Sequence, residues 1–375
     1  MGYGLLGAQW KDPRELKAIL LAVTLCTCAG ALFAWIRTPL PWMLGPLVVM
    51  AFARWRNWQV DAPLLFRDFG QTVIGTALGL YFTPVVMTQI SRYLPFMVLA
   101  GFAALTTGYI SSLVLRRQLP QMDAPTAFYS CVPGGASEMA VLAERYGGRQ
   151  DLVAVAQSLR ILMVVGTVPF IYTYGGVHGL DVYQVGARGI NLPGMALLFG
   201  ITIAGGFVLK FARAPNCFML GPLLCAITVT ALDIKLSALP GWLTNVGQLV
   251  LGCSLGAKFE HDFFHSAPRF LLAVAASTVV SVLLLAGFGW AMGWVTGIHP
   301  ATSILATAPG GIAEMSITAK LLQLGVPIVT AFHVSRVVVL VTVSSPMYRF
   351  VFNRFEKTAT AAAISTPNST NEETT

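Results

Sequence analysis

Apolar runs of about 20 residues, the length an α-helix needs to cross the ~30 Å hydrocarbon core of a bilayer, recur along this whole sequence. They lie at roughly 16–36, 39–53, 68–90, 93–115, 123–144, 151–174, 192–211, 215–232, 240–258, 267–295, 300–323 and 327–352. In lipid every backbone N–H and C=O must find its partner within the protein, and a continuous apolar helix achieves this within one segment. Charged residues make up 11% of the chain, against about 25% in soluble proteins. The expected fold is an all-α polytopic membrane protein. The first run, Leu16–Ile36, follows Lys11, Arg14 and Lys17. It is long enough to span, lacks an evident small-residue cleavage site and is followed by further spans, so it reads as a membrane helix and not a signal peptide.

The net charge of +8 does not indicate nucleic acid. The Lys and Arg residues are scattered between apolar runs, whereas nucleic-acid binding concentrates them on one soluble face. Basic loops beside membrane helices are the ordinary positive-inside pattern. Cys26, Cys28, Cys131, Cys217, Cys225 and Cys253 lie mostly in apolar stretches without a CxxC pair and read as small hydrophobes. Glu260-His261-Asp262-Phe263-Phe264-His265 offers two histidines at i, i+4 spacing. It has no counterpart near Phe82-Thr83-Pro84 and reads as a polar interface segment, so no metal site is expected.

The chain repeats itself. Met43-Leu44-Gly45-Pro46-Leu47 returns as Met219-Leu220-Gly221-Pro222-Leu223, an offset of 176. Gly70-Gln71, Gly75 and Gly79 return as Gly247-Gln248, Gly252 and Gly256, an offset of 177. Pro133-Gly134-Gly135 with Glu138-Met139 returns as Pro309-Gly310-Gly311 with Glu314-Met315, and Arg160 as Arg336, again at 176. The chain therefore divides into repeats at 1–178 and 192–356, a linker at 179–191, and a disordered polar tail at 357–375. Internal repeats are a hallmark of secondary transporters.

If all six segments of a repeat cross, the repeats are parallel; if one folds back, five cross and the repeats are inverted. Letting the two Pro-Gly-Gly segments fold back leaves only Arg37, Arg92, Arg188, Lys235 and Lys320 among the basic loop residues outside, apart from Arg160 and Arg336 within the membrane. The positive-inside rule thus favours ten crossings with two re-entrant hairpins, inverted repeats and both termini in the cytoplasm over twelve crossings. The weaker alternative for each motif is a crossing helix broken in its middle.

Either way, bare backbone and free helix ends sit near the bilayer centre, where an ion or small solute can be bound. Glu138 and Glu314 fall in the first turn after the break, facing the positive end of the helix dipole. They are helix-capping acids or proton- and cation-binding carboxylates. Arg160 and Arg336 stand in the runs SLRILMVV and VSRVVVLV. Each costs about 2.5–3.5 kcal/mol at a helix centre on insertion scales and needs an interior partner. The repeated glutamate is the natural one, as a structural ion pair or beside a substrate anion that the guanidinium grips bidentately. His333, whose counterpart is Gln157, lies one turn before Arg336; it either relays a proton or only forms a hydrogen bond. Gly75, Gly79, Gly252 and Gly256 read as helix-packing surfaces.

These blocks together resemble the AbrB family of bacterial inner-membrane proteins, over roughly residues 16–355. The membrane family is meant, not the small soluble DNA-binding regulator that shares its name. The resemblance implies the inner membrane and carries the labels ammonia monooxygenase and regulator of gene expression, with no established substrate. A monooxygenase needs a redox metal or flavin site, which five scattered histidines do not provide; no enzyme activity and no cofactor are expected. A transcriptional regulator would need a soluble DNA-binding part, which the chain lacks, so regulation would be indirect, through a membrane scaffold or sensor. The expected function is a secondary transporter for a small solute, coupled to protons or cations. Its site would comprise Pro133, Gly134, Gly135, Glu138 and Arg160 with Pro309, Gly310, Gly311, Glu314, His333 and Arg336. Lipid and a small solute or ion are the expected partners, with nucleic acid excluded and a homo-oligomer left open.

Overall fold

The computed structural model describes residues 13–179, 189–259 and 268–364. Among the described residues all regular structure is helical: α1 Pro13–Trp35, α2 Pro41–Trp55, α3 Leu64–Gly79, α4 Pro84–Ser91, α5 Leu94–Gln118, α6 Ala124–Cys131, α7 Ala136–Arg145, α8 Gln150–Tyr174, α9 Leu192–Phe211, α10 Cys217–Ala231, α11 Gly241–Gly256, α12 Pro268–Thr296, α13 Pro300–Thr307, α14 Ile312–Leu321 and α15 Val326–Ile364. The helices α1, α5, α8, α9 and α12 and the Val326–Phe350 part of α15 are long and apolar enough to cross a membrane. The chain is a multi-pass integral membrane protein. Large apolar side chains such as Leu20, Trp35, Phe207 and Phe211 face outward from α1 and α9, as lipid-facing positions do.

Helix bounds recur at the offset of the sequence blocks. α2 and α10 each run 15 residues, α3 and α11 16, α6 and α13 eight, α7 and α14 ten. The run at 68–90, expected as one segment, is in fact α3 and α4 meeting at 89°. Thr83 makes this break: its hydroxyl accepts the Val86 amide at 3.4 Å, and Pro84 follows at the first helical position. α15 continues to Ile364, overlapping the start of the expected tail. Residues 180–188 of the expected 179–191 linker and the Glu260–His265 stretch lie outside the described residues. All six cysteines are free; Cys28 is exposed and Cys26, Cys131 and Cys253 are buried.

The helices pack in two groups. α1, α2 and α3 pack with α9, α10 and α11, and α5 to α8 with α12 to α15. In the first group the packing is crosswise, α2 on α11 and α3 on α10. Glycines allow this closeness. A Cβ on Gly75 would lie 2.6 Å from the Met219 carbonyl oxygen of α10, and one on Gly256 would lie 2.5 Å from that of Leu47 on α2. Gly79 and Gly252 are pressed as closely against Ala226 and Met43. The four glycines of α3 and α11 thus receive the two Met-Leu-Gly-Pro helices. α3 and α4 touch α14 and α15 where the two groups meet.

Candidate functional site

The site is built on the two short helix pairs. Asp123 starts α6, its carboxylate accepting the Thr126 amide at 2.9 Å, and α6 stops where Val132 turns extended before Pro133. Gly135, with φ −67°, starts α7; Gly311, with φ −79°, starts α14. Any residue can adopt these angles, so the glycines answer a need for space. A Cβ on Gly134 would stand 2.6 Å from Cε of Met139, and one on Gly310 would stand 2.8 Å from Cε of Met315. A Cβ on Gly135 or Gly311 would overlap the carboxylate of Glu138 or Glu314. The motif is thus one packing unit. Methionine covers the first glycine, and glutamate folds back over the second, at the N-terminus of its own helix.

Each pair folds back on itself. The Arg149 amide, beyond the end of α7, donates to the Thr126 hydroxyl at the start of α6 at 2.7 Å. Gly325, beyond α14, lies beside the Thr302 methyl at the start of α13. The two feet of each pair are together, and the Pro-Gly-Gly turn is a tip.

The arginines hold these tips. Arg160 donates to the carbonyls of Val132 and Gly134, both at 3.1 Å. Arg336 donates in the same way to Ala308 and Gly310. The expected Arg–Glu ion pair is corrected: among the described residues no ion pair within 4.0 Å joins either glutamate to either arginine. The last carbonyls of α6 and α13 and those of the unwound tips have no helical partner. They also carry the negative end of the helix dipole, and a guanidinium fork satisfies two at once. One turn earlier, Gln157 donates to Tyr129 at 2.6 Å and to Val132 at 2.9 Å. His333 Nε2 lies 3.1 Å from the Leu305 carbonyl, which corresponds to that of Tyr129. A carbonyl only accepts, so Nε2 carries the ring proton. His333 therefore does in its tip what Gln157 does in the other.

Two basic residues missing from the expected site lie within electrostatic reach of the glutamates. Lys258 follows the end of α11 by two residues. It lies within electrostatic reach of Glu138, Glu314 and Arg67. Arg67, on α3, donates to the Asn216 side chain at 3.1 Å and reaches Glu314 as well. The repeat offset hides Lys258, because position 81 in the first repeat is Tyr81. Arg160 and Arg336 are also within reach of each other, so the two tips converge. Glu314 is 8% exposed; Glu138 is more open, with Oε2 buried and unpartnered. Among the described residues no cluster of three metal-ligating side chains occurs.

A family model described as "Transition state regulatory protein AbrB" matches residues 42–352. The chain is similar to "Uncharacterized protein YhjN" of Bacillus subtilis (strain 168), with 26% identity over 372 residues, 91% of this chain and 94% of that protein. It is also similar to "Putative regulator AbrB" of Escherichia coli (strain K12), with 23% identity over 323 residues, 85% of this chain and 92% of that protein.

Proposed function

The chain belongs to the AbrB family, and from that premise we propose that it is a secondary transporter moving a small solute coupled to protons or cations. One observation carries the reading: two folded-back helix pairs, their tips clamped by buried arginines, bring Glu138 and Glu314 within reach of a single lysine. Unwound backbone in a membrane protein is tolerated where it is buried in protein or lines a cavity, and convergent broken helices are how repeat-built carriers form a binding site. Glu138 and Glu314 take the coupling proton or cation. Arg160 and Arg336 position the tips.

The joined feet of each pair support two re-entrant hairpins, ten crossings and inverted repeats, with both termini on the cytoplasmic side of a bacterial inner membrane. Alternating access then follows from movement of one helix group against the other, with the site at their junction. The names of the family and of the Escherichia coli relative favour a second reading, a membrane sensor or scaffold acting indirectly on gene expression.

Proteoliposomes separate the two. Currents and lumenal pH are recorded while organic acids, amines and ammonium are offered to wild type and to Glu138→Gln/Glu314→Gln. Flux in wild type that the folded double variant loses is the transporter's result. Absence of flux for every solute, in protein of unchanged stability, overturns it in favour of the sensor.

A further inference from the structure

At the junction between the two tips, Lys258 and Arg67 are balanced by Glu138 and Glu314. Lys258 and Arg67 stand within reach of each other and of Glu314, with Glu138 also within reach of Lys258, so the two like charges are offset by the glutamates and lose that compensation when a glutamate is protonated. Arg67 is held in place by Asn216, and its neighbour Asp68 is within reach of both Arg67 and Lys210. Opposite stand the N-termini of α7 and α14, whose amides and dipoles favour negative charge. Neither helix has a side-chain cap hydrogen bond at its glycine start. Instead each helix's own glutamate is folded over Gly135 or Gly311, Glu138 with its Oε2 unpartnered. Independently, Arg160 and Arg336, 4% and 5% exposed, each keep an Nε–H buried without an acceptor at these tips.

Resting on the transporter reading, we infer that the solute is a small organic anion, a carboxylate. It is anchored by Lys258 and Arg67 and takes the position at the two helix N-termini that Glu138 and Glu314 occupy as internal carboxylates. The glutamates and the solute compete for the same cations. Protonation removes the negative charge of a glutamate and leaves the cations and the helix start without it, so anion and proton enter together. Lys258 from beyond α11 is within reach of both glutamates, and Arg67 from α3 and Arg336 from α15 are within reach of Glu314; on the elements packed against them Arg160 (α8) and His333 (α15) are further charged or titratable groups. The terminal nitrogens of Arg160 and Arg336 are committed to tip carbonyls and His333 to Leu305, which leaves the two Nε–H groups, Lys258 and Arg67 for the solute. Affinity is therefore higher at acid pH than at alkaline pH.

The test is binding by the purified full chain in nanodiscs. The probes are acetate, lactate, benzoate and succinate as sodium salts, with methylammonium and ammonium chlorides as cation controls, followed by thermal shift at pH 5.5 and pH 8. The expected result is stabilisation by at least one carboxylate at pH 5.5, weaker at pH 8. Binding should weaken about tenfold or more in Lys258→Gln and in Arg67→Gln, as the loss of one charged contact implies. Lys258→Arg should retain binding, which guards against a folding defect in the glutamine variant. Glu138→Gln/Glu314→Gln should bind at pH 8 as wild type does at pH 5.5. Stabilisation by cations alone, carboxylate binding indifferent to Lys258 and Arg67, or no stabilisation by any probe overturns the inference. Flux of a cationic solute that depends on the glutamates would overturn the anion while leaving the transporter standing. Carboxylate binding without flux would do the reverse.

Discussion

At Gly135 and Gly311 the decisive atoms belong to a neighbour, because the glutamate three residues on lies where a methyl group would go. Gly311→Ala should therefore displace Glu314 and, on the transporter reading, abolish coupled flux, and overpacking should cost about 1–3 kcal/mol. Adding Glu314→Ala removes the obstruction, so the double variant should recover most of the lost thermal stability in a double-mutant cycle while flux stays absent. Arg336→Met should destabilise strongly, since each charged hydrogen bond it loses is worth about 1.5–3 kcal/mol. Arg336→Lys should rescue it poorly, because an ammonium lacks the planar fork. His333→Gln installs the residue of the other repeat. We expect it to fold with an unchanged pH profile of flux; a shifted profile would restore the proton relay. The motif residues were legible in the sequence because they repeat. The arginine's partner was not: backbone carbonyls at a tip carry no letter of their own, and a nearby glutamate was the only acceptor with a side chain to read. Lys258 was illegible for the opposite reason, since its value lies in breaking the repeat, with Tyr81 as its counterpart.

The two helix pairs are short, at eight and ten residues each, too short to span a membrane alone and marginal as isolated helices. They stand because an arginine ties each tip and a threonine ties the first pair's feet. Thr126→Val removes the acceptor of the Arg149 amide, at about 0.5–1.5 kcal/mol. Hydrogen exchange should then quicken at residues 146–149 and leave the core of α8 protected. A cysteine at Gly147, in a background without Cys28, should react with a membrane-impermeant reagent only from the cytoplasmic side; labelling from the periplasm would sink the hairpin topology. Apolar length made the long helices readable. The bend between α3 and α4 was not read because hydropathy continues through it, although Thr83-Pro84 is a helix start written plainly enough.

At the scale of the molecule, the repeats are laced together in one helix group, α2 lying on α11 and α3 on α10 across glycine surfaces. Neither half completes that packing alone. Residues 1–179 or 189–375 expressed singly should be degraded or aggregate, whereas the two co-expressed should co-purify as one complex. Recovery of a folded half by itself would contradict the interlacing. The same lacing bears on ancestry. A half-length forerunner would have left its glycine faces bare, and so had to live as a pair of identical chains. In such a pair every substitution lands twice. Only after the two copies were joined into one gene could a lysine stand at 258 opposite a tyrosine at 81, or a histidine at 333 opposite a glutamine at 157. A fused chain of this kind is free to give the two sides of the junction different chemistry.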